Sequence, residues 1–362
     1  MSQVNCSILE DGFGLVPSLI APVQLDRYTM TNTSGARVQL ISWGAGIQSV
    51  RVPSKSGSLA DVVLGFDDMD GYLENRYIGG MIGPLANSVT NDNMYFNSKF
   101  GGGDISDDFQ NAPLGFDNVN WESQIINKEV LLIIFGQVMS HLYRDYDDTS
   151  ISNLLVQVKF TWTDDNQLHM NIRASTTRTT PVDVTNRCLF NLAGHGAGVK
   201  ELRKHVASIN AYGWARAETK GCLPTGVIHP VKRTAFDLSL PTQLSRRKLL
   251  EIPGGGYEHD LCITSPSSWS YRFHARILHP ETARTLEIYS NQPSLHFYTG
   301  NNLPDTQQIF GKDGVPYRKH AGFALSPQNY PEALHVENFP SCMLHPGKIY
   351  VHDLTYKFGV LV

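Results

Sequence analysis

Apolar and polar residues alternate with a period of two in four separated stretches: VQLISWGAGIQSVRV (38–52), LLVQVKFTWTDDNQLHMNIRAST (154–176), TLEIYSNQPSLHFYTG (285–300) and KIYVHDLTYKFGVLV (348–362). Each is short, rich in β-branched or aromatic residues and punctuated by Gly, Asn, Asp or Pro, which predicts strands joined by turns. Within the second stretch Asp164, Asp165 and Asn166 supply the turn of a hairpin between two alternating arms. Helical periodicity is scarce. VKELRKHV (199–206) predicts two turns, and nothing has the length of the repeating crossover helices of a doubly wound sheet. LSRRKLL (244–250), which follows the turn-like TAFDLSLPTQ, reads as a solvated loop face rather than a binding patch. No linker or internal repeat divides the chain, and the strand signal runs to its last residue. The expectation is an all-β protein, one large antiparallel β-sandwich over residues 1–362, with 1–25 as an N-terminal extension or edge segment.

Two segments interrupt the alternation. NSKFGGGDISDDFQNAPLGFDN (97–118) is aperiodic, glycine-rich and acidic, too long for an idle turn, and is expected on a functional face or as a solvated insertion. EIPGGGYEHD (251–260) places glycines before an aromatic residue, two acids and a histidine, which suits close backbone approach to a ligand. Its spacing is not GxGxxG and no strand-to-helix unit accompanies it, so phosphate cradling is set aside.

Composition narrows the class. The 362 residues are 41% hydrophobic and 18% charged, as expected of a folded globular chain with a real core. Net charge is −4 with the cations scattered, which argues against nucleic acid as a partner. The five cysteines (Cys6, Cys188, Cys222, Cys262, Cys342) are widely spaced and odd in number, fitting neither a disulfide framework nor a zinc site. No metal or cofactor is expected. The N-terminus lacks a basic segment followed by a long apolar run, and no window resembles a membrane span. A cytoplasmic location, no membrane partner, and a monomer or weak dimer are the resulting expectations.

From residue 61 onward, the blocks DVVLGFDDMDGYLE (61–74), YIGGMIGPLANSV (77–89), GFDNVNW (115–121), TPVDVTNRCLFNLAG (180–194), LPTG (223–226), TAFDL (234–238), GYEHDLCI (256–263), NQPSLHFYTGN (291–301), GFALSPQNYPEALH (322–335) and FPSCMLHPGKIYVHDLTYKF (339–358) resemble, in order, the aldose 1-epimerase or galactose mutarotase family. The resemblance implies that family's galactose mutarotase-like supersandwich with a sugar cleft on one face. Such a cleft moves protons at both sides of a hemiacetal: a base takes the anomeric proton and an acid protonates the ring oxygen, so that the ring opens and recloses as the other anomer.

The chemistry-bearing positions depart from the family pattern. The resemblance puts Ser326 at the position of the glutamate base and Arg187 at that of the histidine acid. A serine hydroxyl has no useful basicity near neutral pH, and a guanidinium stays protonated. Pro84 stands where an arginine would hydrogen-bond the sugar, and Gln110 replaces a second histidine. Asn87, Gln110, Glu258 and Gln292 remain as candidate sugar contacts, Glu258 being one methylene longer than the family's aspartate. His195, His205, His259, His296 and His320 lie in or near matched blocks, and His259, beside Glu258, is the best candidate for a relocated acid or base. An Arg187–Glu258 ion pair filling the cleft is a further expectation. Glu332 reads as a loop carboxylate.

Three functions follow. The first is a catalytically silent protein whose ligand is a hexose and whose role is binding or regulation. The second is an interaction module whose partner is another protein. The third is a working aldose 1-epimerase for galactose or glucose with relocated groups.

Overall fold

The computed structural model describes residues 6–16, 22–86, 115–129, 131–145, 148–215, 226–265, 267, 269–306, 309–331, 333 and 336–361. In chain order, β1 (Ser7–Val16), β2 (Val23–Thr31), β3 (Arg37–Ile41), β4 (Gly46–Pro53) and β5 (Leu59–Asp61) form an antiparallel meander. There follow β6 (Met81–Ile82), β7 (Glu122–Asn127), β8 (Leu132–Asp145), β9 (Asp148–Trp162), β10 (Gln167–Thr176), β11 (Thr180–Pro181) and β12 (Thr185–Asn186). Next come β13 (Val206–Ile209), β14 (Ala211–Ala215), β15 (Ile228–Pro230), β16 (Thr242–Gln243), β17 (Glu258–Ile263), β18 (Arg272–Leu278), β19 (Arg284–Ser290) and β20 (Ser294–Tyr298). The chain closes with β21 (Ile309–Phe310), β22 (Pro316–Tyr317), β23 (Ala324–Gln328), β24 (Met343–Leu344) and β25 (Tyr350–Val360).

Nine strands join in the order β16-β13-β18-β19-β25-β10-β9-β8-β7, and a second five-stranded sheet runs β15-β14-β17-β20-β23. All named pairings are antiparallel. The alternation seen in the sequence drives this arrangement. Leu154, Val156, Val158, Phe160 and Trp162 of β9 and Leu168, Met170, Ile172 and Ala174 of β10 all turn inward and are buried. The hairpin between them closes as expected, with Asn166 in the left-handed region (φ 60°) and Thr163 N–H donating to the Gln167 carbonyl at 3.0 Å. The segment at 1–25 supplies the edge strand β1 and the start of β2.

Two local expectations are corrected. The helix expected over 199–206 is only Gly198–Leu202. His205 ends it: its ring nitrogen Nδ1 donates to the carbonyls of Glu201 and Leu202 at 3.0 and 3.1 Å, satisfying groups left open at a helix C-terminus. Conversely, Arg246–Leu250 is helical, because the Ser245 hydroxyl caps the Lys248 N–H at 3.2 Å.

Two buried cations tie the meander to the rest of the molecule. Lys312 donates to the Asp61 carboxylate at 2.6 Å and the Gln48 carbonyl at 2.7 Å. Arg284, 3% exposed, donates to the carbonyls of Val52, Ser58 and Leu192. Among the described residues, no helix is long and apolar enough to cross a membrane.

Candidate functional site

Strand alternation sorts β17, β20 and β23 into two faces. His259, Leu261, Leu295, Phe297 and Leu325 share one face; Glu258, Asp260, His296, Tyr298, Ser326 and Gln328 share the other. Register makes Asp260, His296 and Ser326 direct neighbours across three adjacent strands. Over this polar face opens a cleft of about 890 Å³, walled by Arg76, Tyr77, Gly83, Leu85, Arg187, Pro253, Gly254 and Lys319 among others. The glycine-bearing loop at 251–260 therefore does approach the cleft with its backbone.

Two short strands bring the far wall into place. β12 pairs with β6, Thr185 opposite Ile82 and Asn186 opposite Met81, which sets Arg187 beside the 76–86 segment. Across β23, the Thr185 hydroxyl donates to the Pro327 carbonyl at 2.6 Å and the Ser326 hydroxyl donates to the Asn186 carbonyl at 2.9 Å. The fold thus brings Ser326 and Arg187 together, although Ser326 has no exposed surface and lies beneath the cleft floor.

Among the described residues, each acid at the cleft has a partner. Glu258 is solvent-exposed and accepts both hydrogen bonds of the Asn302 amide, at 2.9 and 3.0 Å. No ion pair joins it to Arg187, contrary to the sequence-based expectation; the Asn302 amide holds the carboxylate instead. Asp260 is 3% exposed and accepts from the Gln328 amide at 2.7 Å. His296 Nδ1 lies 3.4 Å from the Asp260 carboxylate, close enough for charge attraction but not aligned as a hydrogen bond. Asp117 holds Arg76 in a bidentate pair at 2.9 and 3.0 Å.

The expected rescue residue, His259, alternates to the face opposite the polar row, although it still borders the cleft. Its ring packs edge-on against Phe236 and Trp214, and its Nδ1 accepts the Glu258 N–H at 3.0 Å. Burial pushes its pKa down to about 4, so at neutral pH it is an uncharged ring with one nitrogen already engaged. Gln292, expected in the cleft, lies in the turn between β19 and β20 and borders a separate groove with Trp269 and Tyr350. The histidine four residues later, on β20, faces the cleft instead. Asn87, Gln110 and Glu332, with most of the 97–118 loop, lie outside the described residues. Asp260, Gln328 and the Arg76–Asp117 pair were not singled out from the sequence; the signal for Asp260 was its even spacing from Glu258 within a strand.

An antiparallel sandwich with a polar cleft on one of its smaller sheets defines a fold class, and comparison with known proteins places the chain within it. The family model for aldose 1-epimerase matches residues 26–357, and the chain belongs to that family. A Bos taurus protein named galactose mutarotase is 36% identical over 330 residues, covering 90% of this chain and 91% of its own. The Homo sapiens galactose mutarotase is 34% identical over 328 residues, with coverage of 90% and 91%. Among solved structures, an aldose epimerase homologue from C. elegans superposes with a TM-score of 0.75 at 24% identity, covering 92% of this chain and 98% of that one, a likeness of fold.

Proposed function

We propose that this chain is a sugar-binding member of the aldose 1-epimerase family that has lost anomer exchange, with Ser326 at the base position and Arg187 at the acid position. The observation that carries the reading is the Ser326 hydroxyl. It is fully buried and already donates its proton to the Asn186 carbonyl. A hydroxyl so placed offers no basic lone pair to a sugar, and a guanidinium is not a general acid for the ring oxygen. Hydrogen-bonding capacity for sugar hydroxyls remains in Glu258, Asp260 and Asn302, and the family register adds Asn87 and Gln110.

One observation favours a second reading, a working epimerase with relocated groups: His296 sits 3.4 Å from the buried Asp260 carboxylate on the polar face. An imidazole so placed is a candidate proton carrier. Polarimetry on freshly dissolved α-galactose separates the two. Loss of both family carriers, each worth about 10²- to 10⁴-fold, predicts a rate near the spontaneous one. A rate that scales with protein concentration and vanishes in His296→Ala overturns the first reading in favour of the second.

A further inference from the structure

Among the described residues, the cleft contains one charge that no side chain answers. Of its three cations, Arg76 is held by Asp117, and Lys319 lies 4.0 Å from Asp305. Arg187 makes no ion pair and its side chain makes no hydrogen bond among the described residues. Its Nε is buried without a partner, yet the residue lines the cleft. A guanidinium is costly to leave partly desolvated and unpaired, and its planar fork matches two oxygens of a carboxylate. The cleft acids do not compete for it: Glu258 is occupied by Asn302 and Asp260 by Gln328.

Position suggests what the fork meets. The inference rests on the sugar-binding reading above, in which Arg187 stands where an acid would address the ring oxygen of a pyranose. That oxygen is bonded to C5, which carries the C6 group, so a cation beside the ring oxygen also faces C6. We propose that the cleft takes a hexuronate, a pyranose whose C6 is a carboxylate, with Arg187 binding the carboxylate and Glu258 and Asp260 accepting hydrogen bonds from the ring hydroxyls. A carboxylate fits better than a phosphate, because one fork is available and the carboxylates of Glu258 and Asp260 flank the same cleft, beside Asp117, which Arg76 holds.

Calorimetric titration of the full chain with galacturonate, glucuronate, galactose, methyl galacturonate ester and galactose 6-phosphate tests this. A hexuronate is expected to bind at least about tenfold more tightly than galactose, the usual scale for a charge-assisted contact. The methyl ester, one methyl group larger and uncharged, is expected to lose that preference, a control that needs no variant to fold. Arg187→Gln is expected to collapse the ratio of uronate to galactose affinity towards one, and Arg187→Lys to restore part of it. Equal binding of galactose and both uronates, a preference that survives the ester or Arg187→Gln, or tighter binding of the 6-phosphate overturns the hexuronate assignment while leaving sugar binding intact. Failure of every sugar to bind removes the sugar-binding reading and this inference together.

Discussion

Asp183 lies under the cleft wall, 5% exposed, where its N–H donates to the Pro84 carbonyl at 2.7 Å and its carboxyl accepts the Asn329 N–H at 3.1 Å. Burial, helped by the nearby charge of Asp260 and opposed by the Asn329 contact, pushes its pKa up from 3.8 to about 7. The interval is roughly three pH units, each worth about 1.36 kcal/mol, so ionising this group in the folded chain costs roughly 4 kcal/mol. In the unfolded chain Asp183 releases its proton near 3.8, whereas the folded chain holds it until about 7. The folded state therefore binds more protons across that window, and this contribution to stability is complete below pH 4 and is lost as pH rises to 7. Asp183→Asn is uncharged at every pH and its amide oxygen still accepts the Asn329 N–H. Urea unfolding of both proteins at steps from pH 4 to pH 8 is expected to give equal stabilities at the acid end. The variant should then gain over the wild type, reaching about 4 kcal/mol at pH 8 on the same linkage. A difference that stays constant with pH, or a variant less stable at pH 8, refutes the reasoning.

Acidification acts through His205 with the opposite sign. Its Nε2 accepts the Leu192 N–H at 3.0 Å and burial pushes its pKa down to about 3, so stability is lost as pH falls from about 6.5 towards 3. His205→Gln is expected to lose less of its melting temperature than the wild type between pH 7 and pH 4.5. Lys312→Met strands the Asp61 carboxylate and is expected to cost about 3 kcal/mol or more in urea unfolding. Adding Asp61→Asn should recover part of that loss, since an amide oxygen still accepts the Val50 and Val63 N–H groups.

The strands were legible because the core demands alternation: Leu168, Met170 and Ile172 announce an inward face before any coordinate is known. The cleft was legible only along the chain and not across it. Glu258 and Asp260 read as a pair of like faces on one strand, but nothing in their spacing says that β20 lies beside them in a register that sets His296 next to Asp260. That alignment depends on the turn before β20, whose length decides which of Gln292 and His296 reaches the cleft. His259, adjacent to Glu258 in the strand, alternates to the other face of β17 and reaches only the border of the cleft. The Arg187–Glu258 pair is not formed, and the partner that Glu258 does have, Asn302, lies 44 residues along the chain, beyond the reach of local pattern. Short helices were misjudged where side chains act as caps, as Ser245 and His205 do.

The last strand, β25, lies in the middle of the nine-stranded sheet, bonded to β19 on one side and β10 on the other. During synthesis the two strands that flank it stand with open backbone edges until residues 350–360 are available to pair with them. Those edges invite pairing with other chains in the interim. The large sheet closes only once β25 is in place, and a premature stop a few residues before Tyr350 would leave a gap through its centre and strip Phe190 of its ring contacts with Tyr356 and Phe358, leaving Phe323 alone against it.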